Sequence, residues 1–223
     1  MQTQTNNFAK RFRESLQHAT FKFPAVRVAK HQHVYICGDP ADCVYFIQSG
    51  QIKLLMVSPE GKECLLTIHT VDDTFGESCL VGPGVRHETA TAMQDATVLR
   101  IPCAAFLAHL AKNSLVESFL QYLTTRMGDQ QRIIANLVTV NSAHRLGGTL
   151  LLLAQKLGQP DPRSTRIEQR ITHEELSEMV GTTRPRITQF MLHFRALGLI
   201  EITPERFLIV KERKLSDYLN QLA

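Results

Sequence analysis

Residues 172–202 read THEELSEMVGTTRPRITQFMLHFRALGLIEI, and the reading of this stretch decides the fold. Thr172 and Glu175, three residues apart ahead of an apolar run, form a capping box. The Thr172 hydroxyl accepts from the Glu175 N–H, and the Glu175 side chain reaches back to the N–H of Thr172. A helix to about Val180 follows, closed by Gly181. Thr182 and Thr183 turn and cap, and a second helix is predicted over 184–197. Pro185 stands in its first turn, where a missing N–H does no harm, and Gly198 ends it. Two short helices joined by a tight glycine-containing turn make a helix-turn-helix, whose second helix can enter the major groove of DNA. On that second helix Ile187, Phe190, Met191, Phe194 and Leu197 recur as an inward stripe, leaving Arg184, Arg186, Gln189 and His193 outward. Arginine forks onto the O6/N7 edge of guanine and glutamine onto the N6/N7 edge of adenine, so the outward set suits base reading. Thr172, Thr182 and Thr183 are placed to bond phosphates, and Thr188 joins the candidate DNA-binding set. Two surface arginines alone more often form a solvated face. The turn, the capping box and the outward charge together favour base reading, as does LIEITPERFLIV (199–210), which alternates around Pro204-Glu205-Arg206 as a two-stranded wing.

Working outward, AHRLGGTLLLLAQKLG (143–158) is an amphipathic helix. The loop Gln159-Pro160-Asp161-Pro162-Arg163-Ser164, with two prolines, is expected to break the chain after it. Upstream, CAAFLAHLAKN (103–113) reads as a short helix, and Ser114 is the expected cap of a long helix ending near Asn141. Its apolar residues Leu115, Phe119, Leu123, Met127, Ile133, Ile134, Leu137 and Val140 recur every three or four positions, interrupted at Gly128, Asp129, Gln130 and Gln131. That stripe suits parallel dimerisation together with packing against its own β-domain. From about Phe23 to about Ile101, short β-rich runs punctuated by turns indicate a sandwich or barrel. Pro59-Glu60-Gly61-Lys62 is the expected hairpin turn, with Gly61 at positive φ, and a second turn lies at Gly38-Asp39-Pro40. Phe8, Phe12 and Leu16 mark a short leading helix capped by Asn6 or Asn7. The expected α+β architecture is therefore a β-rich sandwich or barrel domain over 1–113, a dimerisation helix over 114–141 and a winged helix-turn-helix over 142–223.

The composition agrees. Of 223 residues, 43% are hydrophobic and 21% charged, which describes a globular chain with a core of its own. Nothing approaches a membrane-spanning run, and the polar N-terminus lacks the apolar centre of a signal peptide, so a cytoplasmic address and no membrane partner are expected. The five cysteines, Cys37, Cys43, Cys64, Cys79 and Cys103, are odd in number and lack CxxC spacing, so free thiols are expected. A net charge of +4 permits a nucleic-acid partner without requiring one.

The stretch 172–202 resembles the winged helix-turn-helix of the catabolite activator and fumarate-nitrate regulator (Crp/Fnr) family of bacterial transcription factors. GDPADCVYFIQSGQIKL (38–54), EGKECLLTIH (60–69) and DDTFGESCLVGPGVRHETATAMQDATVLRIP (72–102) resemble that family's cyclic-nucleotide-binding β-roll, a jelly roll. The resemblance runs in order over about 28–210. It implies a homodimeric, sequence-specific regulator on a pseudo-palindromic operator in double-stranded DNA, with effector binding repositioning the DNA-reading helices and RNA polymerase as a partner of activators. Pro185 stands where the cyclic-AMP-type members have a base-reading Glu, so a different operator sequence is expected. In members that bind cyclic AMP, a Gly-Glu pair opens a short helix at the phosphate, the Glu holds a ribose hydroxyl, and an Arg followed by Ser or Thr completes the cradle. Gly76, Glu77 and Arg86 match, but His87 and Glu88 follow Arg86, and a carboxylate there opposes an anionic ligand unless it turns away. Gln130 and Gln131 stand where such members place small hydroxyl residues, and they suit a base edge or a dimer seam that fixes register. The candidate effector set, for cyclic AMP or cyclic GMP, is Gly76, Glu77, Ser78, Cys79, Arg86, His87, Arg126, Gln130 and Gln131. The alternative is a self-paired Glu77 and Arg86.

Other chemistries fare worse. An iron–sulfur cluster needs four thiolates, and no cysteine precedes Cys37. Cys79 with His87 is a haem-ligand or nucleophile pair lacking a third member. His31 and His33, read on one face of a strand, make with Glu88 only a sparse metal edge. The sequence carries no Walker A lysine motif, GxSxG or HExxH. A cyclic-nucleotide module acting on a protein partner is the remaining alternative, and the helix-turn-helix argues against it.

Overall fold

A computed structural model describes residues 2–18, 22–58 and 63–221. The chain divides into two compact units, Met1–Gln131 and Arg132–Ala223.

In the first unit, helix α1 (Gln2–Gln17) precedes strands β1 (Ala25–Val28), β2 (His33–Tyr35), β3 (Cys43–Ser49), β4 (Ile52–Val57), β5 (Glu63–His69) and β6 (Thr74–Phe75). A 3-10 helix (Glu77–Val81) then leads to β7 (Thr89–Ala92), β8 (Ala96–Pro102), α2 (Cys103–Lys112) and α3 (Val116–Thr139). The strands form two antiparallel sheets, ordered β1-β8-β3-β6 and β2-β7-β4-β5. Strand β3 shows how the core is layered. Cys43, Tyr45 and Ile47 join one apolar cluster with Ile52, Phe75 and Val98. The alternate residues Val44 and Phe46 join a second cluster with Phe8, Phe12, Phe106 and Phe119. Both faces of β3 are covered, so its sequence reads as a continuous apolar run rather than an alternation.

Several expectations are corrected here. Helix α1 begins at Gln2, which places Asn6 and Asn7 inside it rather than at its cap; its packing stripe, Phe8 and Phe12, is as expected. Ser114 does not cap α3. It adopts a left-handed φ of 51° and ends α2, because its N–H reaches Ala111 O and that of Leu115 reaches Leu110 O, the paired bonds of a Schellman closure. His31 lies in a turn at φ 67°, outside β2, so His31 and His33 do not share a strand face. The expected hairpin turn at Pro59-Glu60-Gly61-Lys62 lies outside the described residues. The turn at Gly38-Asp39-Pro40 forms with Gly38 at φ 94°, and Asp39 accepts from the Ile36 N–H through its carboxylate.

The second unit contains α4 (Ser142–Leu157), β9 (Gly158–Asp161), β10 (Ser164–Ile167), α5 (His173–Val180), α6 (Arg184–Ala196), β11 (Ile200–Ile202), β12 (Leu208–Val210) and α7 (Glu212–Gln221). The segment expected as a proline-broken loop is instead the hairpin β9–β10. Pro160 sits opposite Thr165 on the outer strand of a sheet ordered β11-β12-β10-β9, where an absent N–H costs no ladder bond. Helix α7, absent from the sequence reading, packs Leu219 against α4 at Gly147, where an added Cβ would lie 2.6 Å from the leucine side chain. Leu146, Leu150, Ile167, Leu176, Ile187, Phe194 and Ile209 fill the core beneath the helix-turn-helix.

Candidate nucleic-acid interface and effector cradle

The capping box forms as read, with Thr172 Oγ1 accepting from Glu175 N at 3.1 Å and Glu175 Oε2 accepting from Thr172 N at 2.8 Å. Gly181 closes α5 at φ 66°, and Thr183 takes the cap position of α6 without a side-chain cap bond. Ile187, Met191 and Phe194 are buried, which turns Arg184, Arg186, Gln189 and His193 to the surface together with Pro185. Two members of the inward stripe sit differently. Phe190 lines a cleft of about 490 Å³ with Asn141, Ser142, Ala143, Arg186 and Gln189. Leu197 is exposed, because the chain leaves the helix there and Leu199 is buried in its stead. Thr188 is half-buried: its hydroxyl donates to Arg184 O at 3.1 Å and lies 2.9 Å from His173 Nδ1, so it braces α6 against α5. The imidazole of His193 lies 3.3 Å from the Tyr218 hydroxyl.

In the first unit, Gly76 takes φ 79° and opens the 3-10 helix at Glu77. Arg86 is 1% exposed and held by three oxygens: Nη1 donates to Gly76 O at 2.6 Å and to Ser78 Oγ at 3.2 Å, and Nη2 donates to Cys43 O at 2.5 Å. Its guanidinium lies 4.4 Å from the centroid of the Tyr35 ring, a cation–π contact in a site shielded from water. The expected alternative pairing of Glu77 with Arg86 does not form. Glu77 instead pairs with Arg126 of α3, Oε1 to Nη1 at 2.5 Å, while Arg86 is already committed to backbone carbonyls. Glu88 turns to Tyr35 and accepts from its hydroxyl at 2.8 Å; burial and then this carboxylate push the phenol above its ordinary value. Among the described residues, Arg86 Nε, Glu77 Oε2 and Thr74 Oγ1 are buried polar atoms without a hydrogen-bond partner. His87, Gln130 and Gln131 are exposed, and the two glutamines lie on α3 beyond Arg126. Cys79 is buried, with its thiol pushed up to about 12 by burial and then by the Cys103 thiol, so it offers no thiolate to a nucleophile pair with His87. No group of three or more His, Cys, Asp or Glu able to hold a metal occurs among the described residues.

Residues 25–113 match the model of the cyclic nucleotide-binding domain, and residues 144–218 match that of the Crp-like helix-turn-helix domain. The chain belongs to the Crp/Fnr family. It is similar to a CRP-like cAMP-activated global transcriptional regulator of Mycobacterium tuberculosis, 29% identical over 184 residues, 82% of each chain. It is also similar to the global nitrogen regulator of Nostoc, 28% identical over 219 residues, 96% of this chain and 97% of that one. Among solved structures, a CRP-family transcriptional regulator of Thermus thermophilus superposes with a TM-score of 0.71 at 25% identity, covering 87% of this chain and 96% of that one. As a Crp/Fnr protein the chain is a transcription regulator with a DNA-binding helix-turn-helix, not an enzyme. The alternative of a nucleotide-binding module acting on a protein partner finds no support. Among the described residues no helix is long and apolar enough to cross a membrane.

Around the Crp/Fnr cradle, sequence reasoning missed a second layer. Arg126 also donates to Thr74 O at 3.2 Å, and its Nη2 lies 3.3 Å from Nε2 of the buried His69. Arginine only donates, so this Nε2 is the acceptor, and the proton sits on Nδ1, which lies 3.7 Å from Asp73 Oδ2. Burial lowers the His69 pKa, and the Arg126 charge lowers it further against the opposing pull of the Asp73 carboxylate. A histidine depressed in the folded state stabilises fully above its ordinary value near 6.5, and that contribution is lost as pH falls below it, because the unfolded chain then binds the extra proton. Urea unfolding at pH 7.5 and 5.5 is expected to show the loss, and His69→Gln is expected to shrink the difference. An undiminished difference would remove His69 from the acid response.

Proposed function

We propose that the chain is a homodimer joined along α3 that reads a pseudo-palindromic operator with α6, and that an effector in the roll biases the dimer toward the DNA-competent geometry. The observation that carries the DNA reading is the exposure of Arg184 at the start of α6 and of Arg186, Gln189 and His193 along it, behind a capped and closed turn. Arg184 and Gln189 are the base readers, while Thr172, Thr182, Thr183 and Arg186 hold phosphates, and Thr188 acts by bracing α6. The dimer is supported by Val116, Leu120, Met127, Ile134 and Val138, exposed at intervals of three, four or their sums along α3. Gln130 falls in this row between Met127 and Ile134 and would fix register there. The sensor is assigned to 1–113, the seam to 114–141 and the reader to 142–223. The site of action is the cytoplasm, with RNA polymerase as the further partner.

The cradle fits a small anionic ligand that bears hydroxyls. Arg86 Nε is a buried donor and Glu77 Oε2 a buried acceptor, both without partners, and Glu88 is occupied by Tyr35. A cyclic nucleotide would supply a phosphate and a ribose hydroxyl. Arg86, with Gly76, Ser78 and Cys79, would hold the first and Glu77 the second, while Arg126 orients Glu77. His87 and Gln131 stay as candidate contacts on the rim.

Selection from a random duplex library with the purified chain tests the DNA reading. Two-fold symmetric sites are expected, with half-site centres about one helical turn apart; no enrichment sinks it. Calorimetric titration of the nucleotide-free protein with cyclic AMP and with cyclic GMP tests the cradle. Micromolar binding is expected of at least one, with its heat abolished in Glu77→Gln; no heat from either ends the cyclic-nucleotide assignment.

A further inference from the structure

The last carbonyls of a helix have no partner within it and carry the negative end of its dipole. Two such ends converge on one side chain in the second unit. Arg145, in the first turn of α4, donates from Nη1 to Val140 O at 2.9 Å, the carbonyl just beyond α3. From the same guanidinium, Nε donates to Val180 O at 2.9 Å and Nη2 to Gly181 O at 3.4 Å, the last residue of α5 and its left-handed cap. The helix that carries Arg145 is itself fixed. Asn141 caps it by accepting from His144 N at 2.9 Å, and Leu146 and Leu150, on the following turns, are fully buried.

We infer that Arg145 is a positioning residue for DNA reading, which joins the α3–α4 junction at Val140 to the turn of the helix-turn-helix so that the two move as one piece. Beyond Gly181 the chain has only Thr182 and Thr183 before Arg184 opens α6, so fixing the Val180 and Gly181 carbonyls fixes where the reading helix starts. This junction follows directly on α3, so a change in its backbone reaches the turn through one rigid fork. The planar guanidinium is suited to this, since its donors diverge at fixed angles, whereas a lysine ammonium is a single point of charge. The role rests on the DNA reading proposed above, which assigns Arg145 no contact.

The test uses the full chain, with Arg145→Met, which keeps the stem and removes the fork, and Arg145→Lys. Amide hydrogen exchange needs neither DNA nor effector. Arg145→Met is expected to raise exchange over 181–187 by about tenfold while α4 and the first unit keep their protection. Asn141→Gly, which removes the α4 cap and loosens the junction, is expected to raise exchange over 181–187 in the wild-type background and to add nothing in the Arg145→Met background, the signature of coupling through that side chain. Affinity for an operator chosen by library selection is expected to fall about tenfold in Arg145→Met and to recover in part in Arg145→Lys, with bulk-DNA affinity and its salt slope unchanged. Unaltered exchange over 181–187, or an Asn141→Gly effect equal in both backgrounds, overturns the inference, and a salt slope lowered by about one makes Arg145 a phosphate contact instead. A wild-type chain that selects no operator removes the DNA reading alone, since the exchange arm still decides whether Arg145 couples junction and turn. Should Arg145→Met fail to fold, the same comparison is made with Arg145→Lys.

Discussion

Arg184→Ala is expected to weaken sequence-specific DNA binding by about 1–3 kcal/mol while leaving the fold intact. The side chain is exposed at the first position of α6, and its backbone is held by elements that do not need the guanidinium: the Gly181 closure before it and the buried Ile187 after it. At about 1.4 kcal/mol per decade this is a loss of roughly fivefold to more than a hundredfold. The variant's preferred site, selected again from random duplexes, should lose information at one position of each half-site. Arg186→Ala is the informative contrast. That residue lines the cleft beside the start of α4, and its removal is expected to weaken binding to all sequences alike and to lower the salt slope by about one. If Arg184→Ala behaved the same way, Arg184 would be a phosphate contact and the base reading would rest on Gln189.

Phe119→Ala and Leu120→Ala, neighbours on α3, are expected to act on different equilibria. The Phe119 ring is 4% exposed and packs within 5.1 Å of both Phe8 and Phe106, centroid to centroid. Removing a buried aromatic ring costs about 3–5 kcal/mol, through lost transfer energy and the cavity left behind. Urea unfolding of the first unit should record that loss at every protein concentration. Leu120 is 57% exposed on the single chain, so its truncation has little to cost there. Its expected effect is on self-association, read by sedimentation velocity as dissociation at higher protein concentration. A Leu120→Ala chain as fully dimeric as wild type at nanomolar concentration would remove Leu120 from the seam.

The contrast between these neighbours shows what the sequence could and could not reveal. The apolar stripe of α3 was legible, but it serves two faces, and a list of apolar positions does not say which face each one joins. Leu115 and Phe119 belong to the core, while Met127 and Ile134 are exposed. The helix-turn-helix was read almost residue by residue, because its caps are local: Thr172, Glu175 and Gly181 act within a few positions of themselves. Ser114 misled for the same local reason, since a serine before a helix suits its start as well as the end of the previous one, and only the bond from Leu115 N to Leu110 O decides between them. Glu77 and Arg126 stand in one candidate set by resemblance, but that they pair with each other is not legible in the sequence. Arg126 is distant in the chain, and only the packing of α3 beside Thr74 brings the two charges together.

The aromatic layer beneath α1 has a consequence for the order of synthesis. Phe8 and Phe12 leave the ribosome before the rings they pack against, Phe106, Phe119 and Tyr122, which follow about a hundred residues later. At roughly 5–20 residues per second, the rings of α1 wait some 5–20 seconds for these three partners. The second apolar layer of the first unit is therefore completed only once α3 has been made, and a nascent-chain chaperone that acts on this protein has its natural target in the apolar face of α1.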